Sequence, residues 1–213
     1  MAGQGKRTPK RGEPPARSRT ARRTGRRPGT NPTREQIIDA ARETFAAHGF
    51  RGATIRAIAH AAEVDPALIH HYFTSKENLF AVTLQFPEHA APRVLAALRG
   101  DPATFGERLS RAYLGLWEDP QTRRQMAIIT KSALTSADAM ARVRPAVMDV
   151  LGQIGTTDLG GPDREVRFQV AMGHLLGVAC VRHLAQAPPL SDLSFDELVA
   201  RVAPAVQLHL TPG

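Results

Sequence analysis

Cysteine is nearly absent from these 213 residues. Cys180 alone leaves no internal disulfide to form and fits a reducing compartment. It sits in an apolar helical stretch, which reads as a packed structural thiol rather than a nucleophile. No run of about 18 apolar residues occurs, so no membrane span is expected. The basic start is not followed by the apolar core of a secretory signal, which leaves a cytoplasmic location. No segment alternates apolar and polar residues at the two-residue period of a strand, so the fold class is all-α. Catalytic signatures are missing as well. There is no HExxH or CxxC spacing, no GxSxG, no P-loop and no dinucleotide fingerprint. The adjacent His70 and His71 point to different faces of any helix that holds them. An enzyme is therefore disfavoured, and neither a metal site nor a cofactor is expected.

What the chain does have is positive charge, unevenly placed. The formal net charge is +8. Residues 1–30 carry ten basic side chains against Glu13 alone, which is +9, so the other 183 residues sum to −1. This tail is rich in Arg, Pro, Gly and Thr and has almost no large apolar side chains. It cannot offset its chain entropy by burial and reads as disordered. Two uses remain open: a solubilising tail, or an arm that binds phosphates, with Gly25 to Gly29 able to lay arginines along a narrow minor groove.

The chain is organised around Thr54 to Phe73, TIRAIAHAAEVDPALIHHYF. Ile55, Ile58, Ala59 and Ala62 recur at helical spacing, and Thr54 stands where it can cap the first turn. The pattern breaks at Glu63-Val64. Asp65 then supplies a second N-cap and Pro66 suits the first helical position. In this second short helix only Ile69 and Phe73 are clearly inward, which leaves Pro66, Ala67, His70, His71 and Tyr72 facing outward. Such a helix suits the major groove of DNA, although the same residues also fit an ordinary helical hairpin.

A helix over 33–48 precedes this stretch, with a capping-box-like Thr33 and Gln36, an inward stripe of Ile37, Ala41 and Phe45 with Ile38 beside it, and Gly49 as its stop. A helix over 74–85 follows it. Ser75 is its expected N-cap and Lys76 lies in its first turn, where a cation opposes the helix dipole unless an external phosphate shares the site. Beyond residue 86, helices are expected near 92–99, 103–118, 120–135, 137–153, 163–186 and 194–210. They are separated by Asp101-Pro102, Asp119-Pro120, Gly160-Gly161-Pro162 and Pro188-Pro189. The last two carry so much apolar surface that they pack either against a second copy across a two-fold axis or into the chain's own core. Gly173 and Gly177, four residues apart, leave room for another helix. The division expected is a basic tail (1–30), a helix-turn-helix domain (31–85) and a helical domain for ligand binding and dimerisation (86–213).

Several spaced elements together resemble the DNA-binding domain of tetracycline-repressor-like (TetR family) transcription regulators. They are helix 33–48 ending in His48-Gly49-Phe50, then Gly52 to Ala59, then Val64 to Phe73, then Ser75-Lys76-Glu77. The resemblance covers roughly residues 33–85; beyond it the chain resembles the family only in architecture. It implies an all-α homodimer that binds a palindromic operator on double-stranded DNA, and a C-terminal domain that holds a small effector. Pro66, Ala67, Leu68, His70 and His71 would face the groove, Tyr72 and Lys76 would meet phosphates, and Thr54 and Arg56 would touch backbone or a flanking base. Two positions depart from the family pattern. Glu63 stands where the turn usually has Gly, and Leu68 where Thr or Ser is common, which trades a hydrogen bond for apolar contact with a thymine methyl.

The mechanism implied is a repressor released by a ligand. Two reading helices must lie about 34–36 Å apart to enter successive grooves, and a ligand that favours another spacing lowers DNA affinity by the reciprocal coupling. The helix over 74–85 is the natural lever. The expected pocket is lined by Phe105, Tyr113, Leu116, Trp117, Met126, Ile129, Met140, Met172 and His174, with the homodimer formed through 163–186 and 194–210. The rival to sequence-specific reading is a DNA-coating protein driven by the basic tail, with a steep salt slope and little preference.

Overall fold

The computed structural model describes residues 32–211, together with Met1 and Gly3. The readings made for the rest of residues 1–30 lie outside the described residues. Among those described there are ten α-helices and no strand. They are α1 (Pro32–Gly52), α2 (Ile55–Ala61), α3 (Pro66–Tyr72), α4 (Lys76–Thr83), α5 (Ala90–Ala96), α6 (Phe105–Glu118), α7 (Pro120–Thr135), α8 (Ala137–Gln153), α9 (Arg164–Ala179) and α10 (Phe195–Leu210). No helix among the described residues is long and apolar enough to cross a membrane.

The expected stop of the first helix is present as a break. Gly49 has φ 66° and ψ 175°, after which one further helical turn runs to Gly52. The start differs. α1 begins at Pro32, and the Gln36 side chain, expected in a capping box with Thr33, instead donates to the Ala62 carbonyl at 2.9 Å. Gln36 thus ties α1 to the end of α2 and closes an acceptor that the helix terminus would otherwise leave open. The expected 74–85 helix is shorter, Lys76–Thr83, with Ser75 as N-cap. The expected 163–186 helix stops at Ala179 and passes into a π-helical turn, Cys180–Leu184. Cys180 is half-buried there, and burial pushes its thiol pKa up, which makes it a poor nucleophile.

Two clusters of buried side chains hold the helices together. The first gathers Ile37, Ala41 and Phe45 of α1, Ile58 of α2, Ile69 of α3, Phe73, and Leu79 and Phe80 of α4. Phe80 meets Phe45 edge-on at 4.8 Å between centroids and lies 5.0 Å from Phe50. This cluster is completed from far along the chain by Ile129 of α7 and by Ala139 and Val143 of α8. The second cluster joins α5, α6, α9 and α10 around Phe105, Leu109, Trp117, Leu175, Val202 and Val206.

α6 and α10 cross most closely at Gly106. A Cβ built there would lie 2.5 Å from the Ala203 carbonyl oxygen and 2.6 Å from Gln207 Cβ. The Gln207 side chain uses the gap: its Oε1 accepts from the Gly106 N–H at 2.6 Å while its Nε2 donates to the Pro102 carbonyl at 2.9 Å. The turn between α2 and α3 also has a specific backbone demand. The Glu63 N–H donates to the His60 carbonyl and the Val64 N–H to the Ala59 carbonyl, the paired bonds of a Schellman motif. That motif places Glu63 at φ 54°, where glycine would be at ease.

Both backbone features make predictions for denaturant unfolding. Glu63→Gly should raise stability by about 1 kcal/mol, the relief of left-handed strain less the added freedom of the unfolded chain. Gly106→Ala should lower it by about 2 kcal/mol or more, because the helix backbones must part.

Candidate nucleic-acid interface and apolar cavity

α2 and α3 are each seven residues long, too short to persist alone, so their caps and their buried faces set their geometry. Thr54 Oγ1 accepts from the Ala57 N–H at 3.1 Å, and Asp65 Oδ1 accepts from the Ala67 N–H at 2.7 Å. Ile69 and Phe73 are buried, at 1% and 2% exposure, which fixes the rotation of α3 about its axis. Pro66, Ala67, His70 and His71 are thereby exposed on its opposite side, as are Thr54 and Arg56 on α2. Leu68 is half-buried and leans on the first cluster, so part of its surface is committed to packing. Tyr72 is half-buried too, its ring edge-on to His71 at 5.0 Å.

Lys76, expected to meet a phosphate, is held in place by a contact the sequence did not suggest. Its Nζ sits 4.6 Å from the Phe50 ring centroid, and this cation–π contact fixes a long side chain in the first turn of α4. Two further arginines are placed on aromatic faces of the same cluster. Arg34 lies 5.4 Å from the Phe73 ring and Arg142 of α8 lies 5.6 Å from the Phe80 ring. Neither was singled out from the sequence. Arg34 lies in the first turn of α1, beside Phe73 at the end of α3.

The second feature is a half-open cavity of about 450 Å³ lined by α5 to α9. Of the expected lining residues, Tyr113, Leu116, Met126, Ile129, Met140 and Met172 line it. Phe105, Trp117 and His174 do not. Phe105 is fully buried in the contact between α6 and α10, Trp117 stacks on His183, and His174 turns to His209, with Nδ1 3.3 Å from its Nε2. The reason is helix rotation. Leu116 and Trp117 flank Tyr113 on opposite sides of α6, and Trp117, away from Leu116, packs against His183 of the π-helical turn after α9.

Of the wall that comes from α8, sequence reasoning found Met140 alone and missed Val143, Val147, Val150 and Leu151. Their spacing of three and four residues was the available signal. Phe86, Val94, Phe168 and Leu176 complete the apolar lining. No charged side chain lines the cavity, and its polar groups are those of Tyr113, Thr130 and Gln169. Burial raises the Tyr113 phenol pKa, which keeps it neutral. Such a lining suits an uncharged, mainly apolar molecule better than an ion.

Ile129, Ala133, Val143 and Phe86 line the cavity and also pack in or against the cluster under α3 and α4. Two facts about the outer surface bear on self-association. Val166, Val170, Gly173, Gly177 and Val181 form an exposed stripe along α9 and its π-helical extension, and Leu208 of α10 is 69% exposed. A Cβ placed on Gly173 or Gly177 meets no atom within 4 Å.

The chain matches two family descriptions. Residues 37–83 match "Bacterial regulatory proteins, tetR family", and residues 103–210 match "Tetracyclin repressor-like, C-terminal domain". The second match extends the likeness through the C-terminal half, where the sequence suggested likeness in architecture alone. The HTH-type transcriptional regulator UidR of Escherichia coli is 40% identical over 70 residues, covering 32% of this chain and 36% of that protein. The HTH-type transcriptional repressor AcnR of Corynebacterium glutamicum is 35% identical over 107 residues, 47% of this chain and 50% of that one. The chain thus spans half or less of the length of these curated relatives. A crystal structure of a TetR-family regulator from Streptomyces coelicolor A3 is 32% identical, with a TM-score of 0.58, over 87% of this chain and 98% of that one. With both halves matched in order and a relative aligned over nearly its whole length, the chain belongs to the tetracycline-repressor-like (TetR) family of bacterial regulatory proteins.

Proposed function

We propose that this protein is a sequence-specific DNA-binding transcriptional regulator, a repressor released from its operator when an uncharged apolar molecule enters the cavity. Residues 31–85 act as the reading head and residues 86–213 as the effector and dimerisation part. The observation that carries the reading is the double membership of Ile129, Ala133 and Val143. A ligand cannot press on that wall without pressing on the core that orients α3 and α4. The lever therefore includes α7 and α8 as well as the α4 segment. Pro66, Ala67, Leu68, His70 and His71 are the groove-facing residues, Tyr72 and Lys76 the phosphate contacts, and Thr54 and Arg56 the flanking ones.

The protein acts as a homodimer through the exposed stripe of α9 with Leu208 of α10. Its valines and open glycines suit a close isologous helix crossing, and a two-fold dimer matches a palindromic operator. Binding energy divides between a sequence-independent share from the basic tail and a selective share from α3.

Footprinting on DNA upstream of the protein's own gene, with the full chain and with residues 1–30 deleted, tests this. Deletion should weaken all sites similarly, flatten the salt slope and leave the preferred site preferred. Loss of preference along with the tail would instead identify a DNA-coating protein. The cavity is tested with the uncharged dye N-phenyl-1-naphthylamine. Its fluorescence should rise on binding, and Ala146→Trp, which fills the exposed mouth, should weaken that binding about tenfold by steric exclusion. An unchanged affinity in that variant would place the dye elsewhere.

A further inference from the structure

The apolar cavity contains one hydroxyl that its own walls leave unsatisfied. Thr130 stands in the middle of the α7 wall. Met126, Ile129, Ala133 and Leu134, its neighbours on that helix face, all line the cavity, so the Thr130 side chain projects into the same space. The residue is 8% exposed, and its hydroxyl makes no hydrogen bond with any described residue.

That is not how threonines behave elsewhere in this chain. A threonine inside a helix ordinarily satisfies its hydroxyl by donating to a carbonyl three or four residues back. Thr44 and Thr83, likewise buried in helices, do so, to the Ala40 carbonyl at 2.8 Å and the Phe80 carbonyl at 2.7 Å. Thr135, further along α7 itself, donates to the Lys131 carbonyl at 2.7 Å. Ser110 and Ser132 are also without partners, but their oxygens have lost all access. Thr130 Oγ1 has not, and the space beside it is the cavity.

The other polar groups of the wall lie apart from it. The Tyr113 hydroxyl has Trp117 and Cys180 for neighbours, and neither of these lines the cavity. Gln169 is exposed at the mouth. A hydrocarbon filling the cavity would strip water from the Thr130 hydroxyl and return nothing, at a cost comparable with a lost hydrogen bond. An alcohol would bring a proton of its own, and a pair of hydroxyls leaves one of the two protons without an acceptor. A carbonyl leaves none, because it only accepts.

We propose that the effector is a neutral carbonyl compound, a ketone or ester on an apolar body, whose oxygen accepts from Thr130 Oγ1. The inference rests on reading the cavity as the effector site, and adds the chemical class of the ligand and the residue that selects it. The bond also sets the position of the ligand along α7, beside Ile129 and Ala133, which belong to the packing under α3 and α4 as well.

Benzophenone and diphenylmethane carry the same two rings and differ at the bridge, a carbonyl in one and a methylene in the other. Each is used to displace N-phenyl-1-naphthylamine from the full-length protein and from Thr130→Val, which keeps the side-chain shape and removes the hydroxyl. Diphenylmethane is the more hydrophobic of the two, so the quantity to compare between proteins is the ratio of their affinities. Thr130→Val should shift that ratio about three- to tenfold against benzophenone, the worth of one neutral hydrogen bond. Thr130→Ser, which keeps a hydroxyl, should restore it. A general loss of packing would weaken both compounds alike and leave the ratio where it was. The proposal is overturned if the ratio is the same in Thr130→Val as in the unaltered protein, or if neither compound displaces the dye. Displacement by both with an unchanged ratio removes the carbonyl assignment and leaves the cavity reading standing. Dye binding that survives Ala146→Trp overturns the cavity reading and this inference with it.

Discussion

A helix of seven residues has no stability of its own in water, and α3 is such a helix. Its existence and its rotation about its axis both depend on the burial of Ile69 and Phe73. Everything that the exposed side of α3 can read follows from that packing. The surface it rests on is assembled from α1, α2 and α4, and then from Ile129, Ala139 and Val143, supplied more than fifty residues later. The reading head is therefore contiguous in sequence at its surface but not in its core.

Under the proposed function, that arrangement would give a pocket without charge a mechanical effect. An apolar ligand makes few directional bonds, so it cannot pull on one side chain. It can only occupy volume, and in a close-packed interior volume is transmitted. Here the walls that would move are the same side chains that support α3 and α4. Coupling then needs no chain of polar contacts between the sites, only two packings of α7 and α8 that a ligand and an operator favour differently.

The local features were legible in the sequence because they depend on neighbours in the chain. Thr54, Asp65 and Ser75 were readable as caps, and Ile69 and Phe73 as the inward pair of α3, since both signals repeat at helical spacing. Glu63 was readable as a misfit for its turn. Features set by tertiary packing were not. Gln36 looked like part of a capping box and instead spans to Ala62. Phe105, Trp117 and His174 looked like pocket wall, but the rotation of α6 and α9, which apolar composition does not specify, turns them elsewhere. The stacking of Lys76 on Phe50 crosses 26 residues of chain and leaves no trace in local spacing.

Arg182, in the π-helical turn after α9, organises the chain around it. One guanidinium gathers a carboxylate and three main-chain carbonyls of the segment from Leu190 to Leu193, a stretch that has only a short 3₁₀ turn of its own. Arg182 thus ties the connection between α9 and α10 to α6, beside the segment's own turn hydrogen bonds and the packing of Leu190 and Leu193 on the second cluster. The connection between the last two helices is therefore placed as much by α6, which it only crosses, as by the two helices it joins.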